Sequence, residues 1–118
     1  MKKWPEDWDA IVAYGLTLPA AELGTAYGKP ALKLNGKMLA ATTGPTPDSF
    51  VAYTALGDKD VLLETDPVTF WETDHYRGWP AVLVRYGGSD AERVKLVLQR
   101  AWWERAKPAQ RAKFGSRP

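Results

Sequence analysis

The chain has 118 residues, enough for one domain and too few for two ordinary ones, with 45% hydrophobic and 25% charged residues, the balance of a soluble globular protein. The absence of cysteine excludes disulfides, thiol nucleophiles and cysteine-based zinc sites, and fits a reducing compartment. The formal net charge of +2 hides a strong asymmetry: residues 48–74 sum to −6, whereas residues 75–118 sum to +7.

The first predicted element is a helix over residues 5–17. Pro5 suits the first helical position, where its missing N–H costs nothing. Glu6 and Asp7 complement the positive end of the helix dipole. Trp8, Ile11, Val12 and Leu16 recur three and four apart as one apolar stripe, and Pro19 stops the helix.

Residues 25–56 read as a β-meander. Thr25 to Leu34 forms the first strand, with Pro30 marking an edge or a bulge. Asn35-Gly36 is a strong hairpin signal, because both residues tolerate positive φ. Lys37 to Thr43 is the second strand, Gly44 to Pro47 a loop, and Ser49 to Leu56 the third strand. A weaker helix is expected over 58–72, interrupted at Asp66-Pro67 and restarting as a short helix through Phe70 and Trp71. The apolar run Ala81-Val82-Leu83-Val84 places an interior strand within residues 79–86. The last helix spans 89–106, with Ser89 and Glu92 as a capping box and Val94, Val97, Leu98, Ala101 and Trp102 on one face.

The resulting order is α-β-β-β-α-β-α. It describes an α+β domain over residues 1–106: a small antiparallel sheet of about four strands with flanking helices. Residues 107–118 are polar, basic and proline-containing, and are expected to form a flexible tail. No apolar run is long enough to span a membrane, and no apolar core follows the basic start as in a signal peptide. The expected location is the cytoplasm.

The sequence contains no phosphate-binding glycine loop and no Gly-x-Ser-x-Gly elbow. His75 is the sole histidine, so one chain cannot assemble a Ser-His-Asp triad or a two-histidine metal site. His75 with Glu72 and Asp74 makes a poor metal set, and the acids from Asp58 to Asp74 read as solvated helix faces. No catalytic residue, metal or cofactor is assigned.

Two segments carry more information. On a strand, Tyr27, Lys29, Ala31, Lys33 and Asn35 share one face while Leu32 and Leu34 point to the core; Lys37 lies just past the turn. The alternative is an exposed hairpin whose lysines guard a sheet edge. The second segment, Thr73 to Pro80, crowds His75, Tyr76, Arg77 and Trp79 around Gly78. Aromatic planes beside cationic groups suit phosphates attached to bases or other planar groups. The alternative makes Tyr76 and Trp79 core anchors.

These segments resemble the MmcQ/YjbR family. The similarity lies in Leu18-Pro19, Gly28-Lys29-Pro30, Asn35-Gly36-Lys37, the pattern Thr73, His75, Tyr76, Gly78, Trp79, Pro80, and Ala101-Trp102. It spans about residues 8–106. The resemblance implies an α+β fold likened to a double-wing DNA-binding arrangement, in a family whose members mostly have no established function. DNA is therefore the expected partner, held through phosphates by Lys29, Lys33, Lys37 and Arg77 with Tyr27, His75, Tyr76 and Trp79 alongside. A small-molecule or anion-binding pocket built from the same residues is the alternative. A protein-interaction module is a third reading, since neighbouring Trp102 and Trp103 cannot both enter one core stripe. Oligomeric state is not assigned.

Overall fold

In a computed structural model, which describes residues 3–88 and 90–118, the elements run in the order α1 (Trp8–Gly15), β1 (Glu22–Ala26), β2 (Lys29–Leu34), β3 (Lys37–Ala41), β4 (Ser49–Tyr53), α2 (Leu56–Thr65), β5 (Phe70–Trp71), β6 (Ala81–Arg85), α3 (Ala91–Arg105) and α4 (Pro108–Phe114). A 3-10 turn spans Asp74–Tyr76 between β5 and β6. The α+β class is as expected, but the sheet has six antiparallel strands, not four, in the order β1-β2-β3-β4-β6-β5.

The two added strands have different origins. The expected strand Thr25–Leu34 is folded in two at Tyr27-Gly28, so β1 and β2 form a hairpin closed by the pair Ala26 and Lys29. Pro30 is on neither an edge strand nor the bulge: β2 lies between β1 and β3, and the register shifts at Leu32/Lys33, while the Pro30 carbonyl still accepts from the Thr42 N–H at 3.0 Å. The second addition is β5. The short helix expected after Pro67 is instead an edge strand paired with β6. Period-two geometry explains it: Phe70 is fully buried toward the helices, and its neighbour Trp71 packs beside Val51 and Leu83 on the opposite side.

Helix α1 is shorter than the expected 5–17. Asp7 caps it by accepting from the Ala10 N–H at 3.0 Å, so Pro5 precedes the helix. Ile11 and Trp8 reach the core, but Leu16 is left exposed; Gly15 takes the place beside the sheet. A Cβ there would collide with the Leu32 side chain, so glycine permits the close helix–strand approach. Helix α2 begins at Leu56 without a side-chain cap.

Helix α3 packs on β3 and β4 and supplies Val94, Val97, Leu98, Ala101 and Trp102 to the core, the expected face. Its cap is Asp90, whose carboxylate accepts from the Arg93 N–H at 3.1 Å. The expected Ser89 cap lies outside the described residues. Trp102 is fully buried, and its indole N–H donates to the Pro19 carbonyl at 2.7 Å.

The segment expected to be a flexible tail contains α4. Pro108 occupies its first turn, and Phe114 stacks on Trp102 with ring centroids 5.1 Å apart. Trp103 is half-buried between Phe114 and the Arg111 guanidinium, 6.1 and 5.0 Å away. A hydrophobic anchor that periodicity could not assign therefore ties the basic segment down.

Candidate functional site

The helices cover one face of the sheet. The other face has a smaller apolar cluster of Val51, Ala81 and Leu83, flanked by Met38, Trp71 and Tyr76. A bulge shapes this face: Lys33 opposes Met38 while Leu32 opposes Ala40, leaving Leu39 as the extra residue on β3. Leu39 and Ala40 are consequently both buried on the helix side, and Met38 stays beside Lys33.

A groove of about 730 Å³ lies on this open face. Met38, Val51 and Ala81 contribute its apolar surfaces. The β1–β2 hairpin contributes Tyr27, Lys29 and Lys33, and the loop before β6 contributes His75, Tyr76 and Trp79. Two segments far apart in sequence thus meet at one concavity. Its lining contains two lysines and a histidine but no aspartate or glutamate. The acidic block 48–74 contributes only Val51.

The two walls are built differently. Tyr27 occupies the left-handed region at φ +51° and Gly28 follows at +77°, the two positive angles of a type I′ turn. The turn holds the Tyr27 side chain 98% exposed. Across the groove, His75 packs edge-on to Tyr76, at 4.9 Å between centroids. His75 and Trp79 lie nearly parallel, 12° apart in plane and 6.3 Å between centroids. Trp79 remains 60% exposed.

A buried lysine holds this second wall. Lys59 of α2 is 3% exposed, and its Nζ donates to the carbonyls of Tyr76 at 2.6 Å and Trp79 at 3.0 Å. The same ammonium pairs with Glu72 at 2.8 Å. It thus satisfies the backbone that presents both aromatic rings. Sequence reading missed Lys59, the lone cation in the acidic stretch. That isolation was the one available signal, since a single lysine among seven acids invites a pairing role.

Of the eight predicted site residues, Tyr27, Lys29, Lys33, His75, Tyr76 and Trp79 line the groove. Lys37 and Arg77 do not. Lys37 sits exposed at the start of β3, beyond the second turn. Arg77 is exposed and pairs with Asp74 of its own loop at 2.7 Å. Asn35, read as sharing the Tyr27 face, instead reaches α4: its Nδ2 donates to the Arg105 carbonyl and to Gln110 Oε1, both at 2.9 Å. The carboxylates considered beside His75 have cationic partners: Glu72 pairs with Lys59, and Asp74 with Arg77.

The basic C-terminal third also fails to converge on the groove. Arg93 donates to Thr65, and Arg100 pairs with Asp58 at 3.5 Å. Arg105 lies 3.6 Å over the Tyr53 ring and donates to the Met38 carbonyl at 2.8 Å. Arg111 packs on Trp103. None of these four is among the residues lining the groove.

The architecture defines a class: an α+β protein with helices on one side of an antiparallel sheet and an aromatic, basic groove on the other. Among solved structures, the chain is similar to that of Deinococcus radiodurans protein DR2400, which carries the domain DUF419. The TM-score is 0.72 at 16% sequence identity, over 98% of this chain and 92% of that one. This likeness is one of fold. No protein-family model matches the chain, and no curated protein matches it. Among the described residues, no helix is long and apolar enough to cross a membrane.

Proposed function

We propose that the chain is a non-enzymatic DNA-binding domain of the MmcQ/YjbR type, whose ligand lies across the open face of the sheet. The observation that carries this reading is the convergence of Lys29 and Lys33 with Tyr27, His75, Tyr76 and Trp79 on one groove with no acid in its lining. Ammonium groups neutralise phosphates and release counterions, and the aromatic faces receive planar groups beside them. Fluorescence anisotropy of labelled DNA, single-stranded and duplex, tests it. Binding is expected at low salt and should weaken steeply between about 50 and 200 mM salt. No binding of either form at low salt ends the reading.

A small anionic ligand in the same groove is the second reading. Its support is the concavity itself: about 730 Å³ falls within the range of small-molecule sites. A thermal-shift screen of phosphorylated and carboxylated metabolites tests it; a screen without a hit removes it. The protein-interaction reading keeps only part of its motive, because Phe114 and Arg111 pack against Trp103 and leave it half-buried.

A further inference from the structure

We infer that the groove takes a single-stranded segment with unpaired bases, not a duplex, an inference that rests on the DNA-binding reading above. Three observations point the same way.

The first is shape. The basic and aromatic side chains line a concavity between a hairpin tip and a loop. Duplex readers insert a convex element, a helix or a β-ribbon, into a groove of the nucleic acid. Here the lysines and rings line the slot itself, and bases stacked within a duplex cannot enter it.

The second is the state of the aromatics. Tyr27 is 98% exposed and Trp79 60% exposed, although each is a large ring with an apolar face. They stand on opposite walls, one presented by a type I′ turn and the other by carbonyls that Lys59 holds. Uncovered rings presented from defined backbone positions are stacking platforms, and Trp79 is further oriented by the parallel His75 ring. Unpaired bases offer the complementary π faces, whereas bases in a duplex have already used theirs on one another. Other sheet surfaces that bind single strands stack about two or three bases on such rings.

The third is the cation pattern. A duplex platform needs a broad basic surface for phosphates of two strands. Here Lys29 and Lys33 are the lysines of the groove, and Arg77, Arg93, Arg100, Arg105 and Arg111 are engaged within the chain. Two lysines along one wall match one backbone. The bases then fall toward Trp79 and His75 on the facing wall, with Tyr27 at the end of the lysine wall.

The test measures anisotropy of a short labelled oligothymidylate, alone and annealed to its complement, with the full chain. The single strand is expected to bind at least about tenfold more tightly than the duplex. Trp79→Ala should weaken single-strand binding about tenfold and leave binding of inorganic polyphosphate unchanged. Lys29→Gln and Lys33→Gln should weaken both polyanions and flatten the salt slope by about 0.7 each for the single strand. Tyr27→Asn removes the second platform from a turn position that asparagine adopts readily, so a folding defect cannot mimic its effect. Equal or tighter duplex binding overturns the inference, as does a single-strand affinity unmoved by both aromatic substitutions. Thymidine monophosphate competing as well as the oligonucleotide also overturns it. In the first two cases the lysine effects still uphold a DNA-binding domain; the third points instead to the small anionic ligand of the second reading. No binding of either nucleic acid removes the DNA-binding reading and this inference together.

Discussion

The two turns at the ends of β2 share one backbone and serve opposite ends. Tyr27-Gly28 has φ values of +51° and +77°; Asn35-Gly36 has +52° and +78°. Each joins adjacent antiparallel strands through two residues. At the second turn the side chain is spent on structure: Asn35 donates to the Arg105 carbonyl and exchanges amide hydrogen bonds with Gln110, which also accepts from the Lys107 N–H at 2.8 Å. That turn is fastened to the α3–α4 junction. The first turn carries a tyrosine that is almost wholly exposed. A residue poorly suited to positive φ, placed where it buries almost nothing, is better explained by what it presents than by what it stabilises. The comparison separates a structural tip from a presenting one without any difference in backbone.

The largest expected effect concerns the wall facing the presenting tip. Lys59→Met should destabilise the chain by about 3 kcal/mol in urea denaturation, because it strips a buried ion pair and two carbonyl hydrogen bonds from the 73–80 loop. A loss near zero would mean that this wall is as free as the Tyr27 turn. Next, Asn35→Ala should cost about 2 kcal/mol, combining lost hydrogen bonds with a left-handed position that alanine resists. A cost below about 0.5 kcal/mol would dissolve the distinction between a docked and a free turn.

Gly28→Ala and Gly36→Ala sharpen the comparison from the other side. Each should cost about 1 kcal/mol, and by equal amounts, because both sit at positive φ and an added Cβ meets nothing within 4 Å at either. Unequal costs would show that the shared backbone is not the relevant common feature. The smallest effect is Tyr27→Asn, expected to raise stability by about 0.5 kcal/mol, since asparagine tolerates the left-handed region. A marked destabilisation would mean that Tyr27 is structural after all.

Much of this was legible in the primary structure. The spacing of Val94, Val97, Leu98, Ala101 and Trp102 identified the buried face of α3, and Asn35-Gly36 identified its turn. The two suspect segments were also visible, because lysines and aromatics clustered there without an apolar period to explain them. Tyr27-Gly28 went unread because tyrosine carries no turn signal. Its positive φ is imposed by the pairing of β1 with β2 on either side of the turn, which no residue preference of tyrosine records. The β5 strand went unread for a related reason: two residues are too few for periodicity, and only pairing with β6 makes them a strand. Likewise α4 looked like a basic tail until Phe114 found Trp102.

What the sequence by itself determined was the class of fold, the core stripe of α3 and the chemical character of a site: cationic and aromatic, with a single histidine and no cysteine. Local periodicity and composition encode those properties, and they survive whatever the chain does elsewhere. What only the tertiary structure decided was membership. It brought Lys29 and Lys33 to the same groove as Trp79, sent Asn35 to α4, and revealed Lys59 as the group that holds the far wall. Such assignments depend on strand register, a bulge and one buried ion pair. Each is a contact between residues distant along the chain, and no local pattern records it.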